Sequence, residues 1–354
     1  MPLTSRKIAG LSLALALGVA AGPTPTPDFG PQLERFDYPW PVQTMSVDVV
    51  GASAQMAFMD IAPDRPNGRS IVLLHGKTFC GATWESQARA LSAAGYRVLV
   101  PDQVGFCKSS KPHAAQYSFE MLATLTHRLM ESRGITHASV VGHSIGGMIA
   151  MRFAIMFPDA VDRLVLVNPL GLKDRSEEGL PYSDVDALWS AEKRTNYASI
   201  KAYEQANYYH GTWKPAFDRW VWMEAGMYAG PGRDAVALAQ AKTSEMIKTQ
   251  PVAHELYRIR PATTVVVGTL DATAYGRAQI PGSLGRFLTA IPQAAPVAVR
   301  QMPNATLVRM EGLGHAPQVE APERFNAVLL DILHAPVAGT TRTRAAVDRP
   351  EPIG

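Results

Sequence analysis

An α/β fold built on a mostly parallel sheet is what this sequence predicts, and three observations predict it. Short aliphatic runs, IVLL at 71–74, RVLV at 97–100, SVV at 139–141, RLVLV at 163–167 and TTVVV at 263–267, are too continuous for strands with one wet face. Segments of helical period separate them, so strand and helix alternate. Each run stops at, or one residue short of, a glycine, histidine, aspartate or asparagine, which gathers polar chemistry at one edge of the sheet.

The chain has 354 residues, enough for one large α/β domain with an insertion. With 47% hydrophobic and 18% charged residues it has the make-up of a folded globular protein, and a net charge of +3 gives no footing for a nucleic-acid partner. Arg6 and Lys7 precede an uncharged Ala/Leu-rich run from Ile8 to Ala21 that ends in small residues. This is the pattern of a signal peptide over 1–21, too short for a comfortable membrane span, and it predicts export to the periplasm or beyond. Residues 22–34, rich in proline, read as an extended linker.

Two alternating segments between Val42 and Asp60 straddle Gly51 and predict an edge hairpin. Arg69 to Leu74 is a buried strand opening into His75-Gly76-Lys77; a helix from Trp84 to Ala94 and the strand before Asp102 follow. A helix from about Ser118 to Arg133 leads to the central strand, and the next helix runs to about Phe157 before the strand ending at Asn168. Between Pro169 and Pro261 no buried β run occurs; helical patterns lie near 195–209, 215–228 and 233–249 among many aromatics. The strand 263–268, a polar connection, the strand 306–310 and a helix from Pro322 to His334 complete the fold, and 335–354 reads as a loose tail. The domain organisation is therefore 35–169 and 262–334 for the core, with 170–261 inserted.

The chemistry centres on Gly142-His143-Ser144-Ile145-Gly146, set between the central strand and its helix. G-x-S-x-G alone is a weak signal, but strand before and helix after are what a nucleophile elbow requires. The glycines let the chain bend sharply around the serine, and the amide of Ile145 stands at a helix N-terminus, where it favours a developing oxyanion. Asp271 and His315 follow in the order Ser, Asp, His, each just beyond a strand, so a parallel sheet would bring all three to one edge. A serine hydroxyl needs a base to take its proton; His315 is the candidate base and Asp271 the group that orients it. The nine histidines are scattered, with no metal-binding spacing, and no cofactor is called for.

Taken in order, LLHG, PDQVGFCKSS, GHSIGGM and LVNP resemble the α/β-hydrolase family over about residues 35–334. The resemblance implies an eight-stranded sheet, a helical cap formed by the insertion, and a second oxyanion donor, the backbone amide of Lys77. The Lys77 side chain is expected to reach solvent or a structural salt bridge, an anionic substrate being the alternative, and His143 to play a supporting part. Asp102 matches a common family position. Asn168 stands where some relatives carry the triad acid, and not being an acid it strengthens Asp271. The resemblance also makes the loops holding Cys80 and Cys107, the only cysteines, neighbours, and an exported chain would oxidise them to a disulfide. The expected activity is hydrolysis of an ester or related acyl bond of a small, apolar or aromatic substrate through an acyl-enzyme. The alternatives are a carbon-carbon bond hydrolase of diketone type, a cofactor-free haloperoxidase or perhydrolase, and a ligand-binding protein on a retired scaffold. A serine at the elbow argues against dehalogenase and epoxide hydrolase relatives, which place a carboxylate there.

Overall fold

The computed structural model describes residues 26–49, 51–277, 280 and 285–335. The expected signal peptide and all but the first residue of the expected tail lie outside these.

Eight strands form one sheet in the order β1-β2-β4-β3-β5-β6-β7-β8. The edge hairpin is β1 (Gln43–Val49) and β2 (Ala52–Ile61), antiparallel to each other, and β2 runs antiparallel to β4 (Arg97–Pro101). From there β3 (Ser70–Leu74), β5 (Ala138–His143), β6 (Val161–Val167), β7 (Thr263–Gly268) and β8 (Ala305–Met310) are parallel.

Side-chain alternation divides the core between the two faces. Val72, Leu74, Val140, Leu164 and Leu166 pack with α2 (Phe119–Ser132), α3 (Ile145–Met156) and α8 (Ile291–Gln301). Their neighbours Ile71, Leu73, Val141, Val165 and Val167 pack with α1 (Glu85–Ala93) and α10 (Pro322–His334) on the other face. Both faces are covered, which is why these strands read as unbroken apolar runs.

The insertion between β6 and β7 holds α4 (Val185–Glu192), α5 (Tyr197–Asn207), α6 (Asp218–Met227) and α7 (Arg233–Thr249). Three of these match the expected helical patterns; α4 is additional. The polar connection expected between the strands at 263–268 and 306–310 contains α8, despite Pro292 and Pro296. Burial of Ile291, Ala294, Ala295 and Ala298 outweighs the backbone hydrogen bond that Pro296 forgoes. A last short helix, α9 (Pro317–Glu320), follows His315.

Residues 26–34 are not a free linker. The amide of Phe29 donates to the carbonyl of Gly226 at 3.1 Å, and Leu33 is fully buried. A side chain at Gly226 would meet the Phe29 ring at 2.2 Å, so the close fit depends on that glycine.

Candidate active site

β5 ends at His143, and Ser144 turns the chain into α3 with a φ of 55°, one of the few non-glycine residues with positive φ. The neighbouring glycines are sterically required. A Cβ on Gly142 would lie 2.3 Å from the Gly146 carbonyl oxygen, and one on Gly146 would lie 2.4 Å from that of Leu74. Ser144 occupies the N-cap position of α3, yet its hydroxyl makes no capping hydrogen bond. The Ile145 amide is the first of that helix, where intrahelical acceptors are lacking.

The loop after β3 folds over the same turn. A Cβ on Gly76 would stand 3.2 Å from Ser144 Cβ and 2.8 Å from His143 Nδ1, so Lys77 follows a backbone laid against the elbow. Its ammonium does not reach solvent freely: it pairs with Glu192 on α4 at 2.7 Å. Asp102, after β4, ties the neighbouring loops together by accepting from the amide of Gly81 at 2.7 Å, the amide of Lys108 at 3.0 Å and the hydroxyl of Tyr38 at 2.7 Å. Cys80 and Cys107 are joined in a disulfide that spans these loops.

Asp271 and His315 are brought together. His315 Nδ1 is 2.8 Å from Asp271 Oδ2, and both side chains are fully buried. The other carboxylate oxygen accepts from the amide of Thr273 at 2.7 Å, which fixes the acid's orientation. His315 Nε2 is buried and has no hydrogen-bond partner.

Three contacts hold the His315 backbone over the elbow. Its carbonyl accepts from Asn168 Nδ2 at 2.8 Å and lies 2.9 Å from His143 Nε2, while its amide donates to the Tyr208 carbonyl at 2.8 Å. Asn168 in turn accepts from the Gly268 amide at 3.0 Å, bridging the ends of β6 and β7 to the histidine loop. The rings of His143 and His315 are 4.9 Å apart at their centroids. Burial and the neighbouring His315 push the His143 imidazole well below the usual histidine range, so it stays neutral and cannot compete as a cation.

Tyr208 is one of the aromatics crowded into the insertion and was not singled out by sequence; its ring lies 4.5 Å from that of His315 and its hydroxyl is 3.2 Å from Thr78 Oγ1. Sequence reasoning missed Glu204 and Glu224, buried on α5 and α6. Their signal was legible, since each acid stands on the apolar face of its helix, beside Ile200 and Val221.

Two clusters of metal-ligating types occur among the described residues. One, His75-Asp102-Cys107, includes a sulfur already committed to the disulfide; the other, Asp174-Glu177-His254, is an ion-paired group near the surface.

A family model for the alpha/beta hydrolase fold matches residues 69–219. The solved structure of a Pseudomonas aeruginosa PAO1 protein, provisionally named a hydrolytic enzyme, superposes with a TM-score of 0.86 at 48% identity, over 88% of this chain and 99% of that one. An esterase from Exiguobacterium antarcticum shares the fold at a TM-score of 0.64 and 19% identity, over 83% of this chain and all of that one (100%). By sequence, a Klebsiella pneumoniae protein provisionally named a carbamate hydrolase is 28% identical over 290 residues, 80% of this chain and 99% of that protein. This chain belongs to the α/β-hydrolase family, and it is a hydrolase.

Proposed function

We propose that the protein cleaves an ester or related acyl bond of a small, largely apolar substrate through Ser144, His315 and Asp271. One observation carries the reading. His315 has its Nδ1 on Asp271 and its Nε2 buried without a partner, on the loop that packs over the Ser144 turn. That is the arrangement of a base whose tautomer is fixed and whose second nitrogen is kept for a proton.

In this mechanism Ser144 Oγ attacks the acyl carbon as its proton passes to His315 Nε2. The negative charge on the former carbonyl oxygen is held by the amides of Ile145 and Lys77. The tetrahedral intermediate collapses when the imidazolium returns the proton to the departing alcohol, leaving an acyl group on Ser144. Water, deprotonated by the same nitrogen, releases the acid and restores the hydroxyl. Asp271 orients the imidazole and stabilises the imidazolium in both halves. The helices of 170–261 act as the cap of the site, supported by the Tyr208 and Glu192 contacts to the core.

We also propose that the protein is exported; the N-terminal pattern and the Cys80–Cys107 disulfide support this. Among the described residues no helix is long and apolar enough to cross a membrane.

The test is labelling of the oxidised protein with a fluorophosphonate probe and location of the adduct by peptide mass spectrometry. An adduct on Ser144, absent from Ser144→Ala, is expected. A folded protein that turns over esters yet carries the adduct elsewhere would overturn the assignment.

A further inference from the structure

Ser144, Asp271 and His315 follow three different strands, and the hydrogen bonds of one short segment reach all three. At its centre is Asn168, fully buried directly after β6, with a φ of 39°. Of the residues that tolerate such a backbone most readily, glycine, aspartate and asparagine, only asparagine brings side-chain N–H donors together with an acceptor. Both kinds are used here. Nδ2 donates to the carbonyls of Gly314 at 3.1 Å and His315 at 2.8 Å, and Oδ1 accepts from the Gly268 amide at 3.0 Å.

The segment around Asn168 is itself fixed to the serine. The Ser144 amide donates to the Val167 carbonyl at 3.0 Å, and the Ser144 carbonyl accepts from the Leu170 amide at 3.1 Å, so residues 167–170 bracket the elbow. On the other side the Asn168 amide donates to the Val266 carbonyl at 2.8 Å, in register with β7. Gly268, the last residue of β7, gives its amide to Asn168 and accepts with its carbonyl from the amide of Asp271 at 3.1 Å. A Cβ on Gly268 would stand 2.1 Å from the Gly314 carbonyl oxygen, so the loops that carry Asp271 and His315 meet backbone to backbone.

His143 adds a second donor to the carbonyl of His315. Its Nε2 lies 2.9 Å from that oxygen, and since a carbonyl only accepts, Nε2 carries the hydrogen. The His315 amide is held in turn by the Tyr208 carbonyl at 2.8 Å. Both peptide planes flanking the His315 Cα are therefore pinned, and the 2.8 Å contact with Asp271 fixes the ring.

We propose that Asn168, assisted by His143, is the positioning residue of this site: the two hold the His315 carbonyl and so set the base at a fixed place relative to the Ser144 backbone. Neither touches the reacting atoms. Their effect is to remove motion of the base that would otherwise be lost in each transition state. The inference rests on the reading of Ser144, His315 and Asp271 as nucleophile, base and orienting acid.

The test is kinetic, on the full-length oxidised protein with p-nitrophenyl butyrate as substrate and a thermal melt beside each variant. Asn168→Gly accepts the same backbone conformation and removes all three side-chain hydrogen bonds. It should lower kcat by ~10²-fold with KM within about threefold, and slow fluorophosphonate labelling of Ser144 by the same factor as kcat. His143→Leu should lose ~10-fold in kcat, and His143→Gln, whose amide can place an N–H near the Nε2 position, should recover most of that loss. Because both donors act on one carbonyl, the Asn168→Gly, His143→Leu double variant should lose less than the product of the single losses. A merely structural role would lower the melting temperature and leave kcat alone. A folded Asn168→Gly protein with wild-type kcat and labelling rate overturns the proposal; if that variant does not fold, a His143→Gln protein as impaired as His143→Leu overturns it. Turnover that survives Ser144→Ala would instead sink the acyl-hydrolase reading, so the two failures are distinguishable.

Discussion

The backbone carbonyl of Tyr208, in the helical insertion between β6 and β7, accepts a 2.8 Å hydrogen bond from the amide of His315, which follows β8. The insertion therefore holds the proposed base directly. Contact is so close that a Cβ on Gly314 would stand 1.8 Å from the Tyr208 oxygen. Gly314→Ala should push the two loops apart and lower kcat by ~10²-fold, since catalysis is sensitive to misplacement of about an ångström. Steady-state kinetics beside a thermal melt checks this. An unchanged kcat in a folded variant would mean that the docking does not position His315.

Asp271→Asn tests the orienting acid. The asparagine can keep the oxygen that accepts from Thr273, so the local turn should survive. It presents an amide to His315 Nδ1 and favours the wrong tautomer. A loss in kcat of ~10³ to 10⁴ with little change in KM is expected, together with slower labelling of Ser144. A loss confined to KM would instead make Asp271 a substrate-binding residue.

Much of this site was legible because its residues follow strands. Ser144, Asp271 and His315 each sit past an apolar run, and a parallel sheet delivers all such positions to one edge. Strand 263–268 and helix 322–334 emerge at their expected bounds. Two kinds of feature were hidden. The helix at 291–301 contains prolines that argue against it locally, and only burial against β7 and β8 explains it. The partners of Lys77 and His315 in the insertion, Glu192 and Tyr208, come from distant sequence positions joined by packing that no periodicity encodes.

The pairing of Lys77 with Glu192 separates the role of a side chain from that of its amide. If the backbone N–H is the oxyanion donor, Lys77→Met should retain kcat within about tenfold, because losing one such donor costs ~10² to 10³. The partly buried Glu192 loses its cation, however, and keeps only the Tyr228 hydroxyl and Thr195 on its other oxygen, so the variant should lose about 1–3 kcal/mol of stability. Kinetics and urea unfolding on the same preparation measure both. A drop in kcat as large as donor loss would transfer the role to the ammonium.

The disulfide closes a loop with a sequence separation of 27 residues. Loop-closure entropy then assigns it about 3–4 kcal/mol. A Cys80→Ser, Cys107→Ser double variant should unfold at correspondingly lower urea concentration, and reductant should lower the wild type's midpoint but leave the variant's unchanged. Reductant sensitivity in the variant would show that the loss has another source.

Glu224 gives the clearest pH signature. Burial, resisted by Lys77 and reinforced by Glu192, raises its carboxyl from 4.5 to about 8. Between these values the folded protein keeps a proton that the unfolded chain has released. Stability on this account falls as pH rises through that window and levels off above it; below it the group costs nothing. Glutamine cannot ionise, so Glu224→Gln should gain on the wild type steadily from pH 4.5 to 8, by a total on the order of a few kcal/mol. Other titrating groups are common to both proteins and cancel in the difference. Paired urea titrations at intervals across the range read the gain directly, and a difference independent of pH would mean that Glu224 is ionised in the folded state throughout.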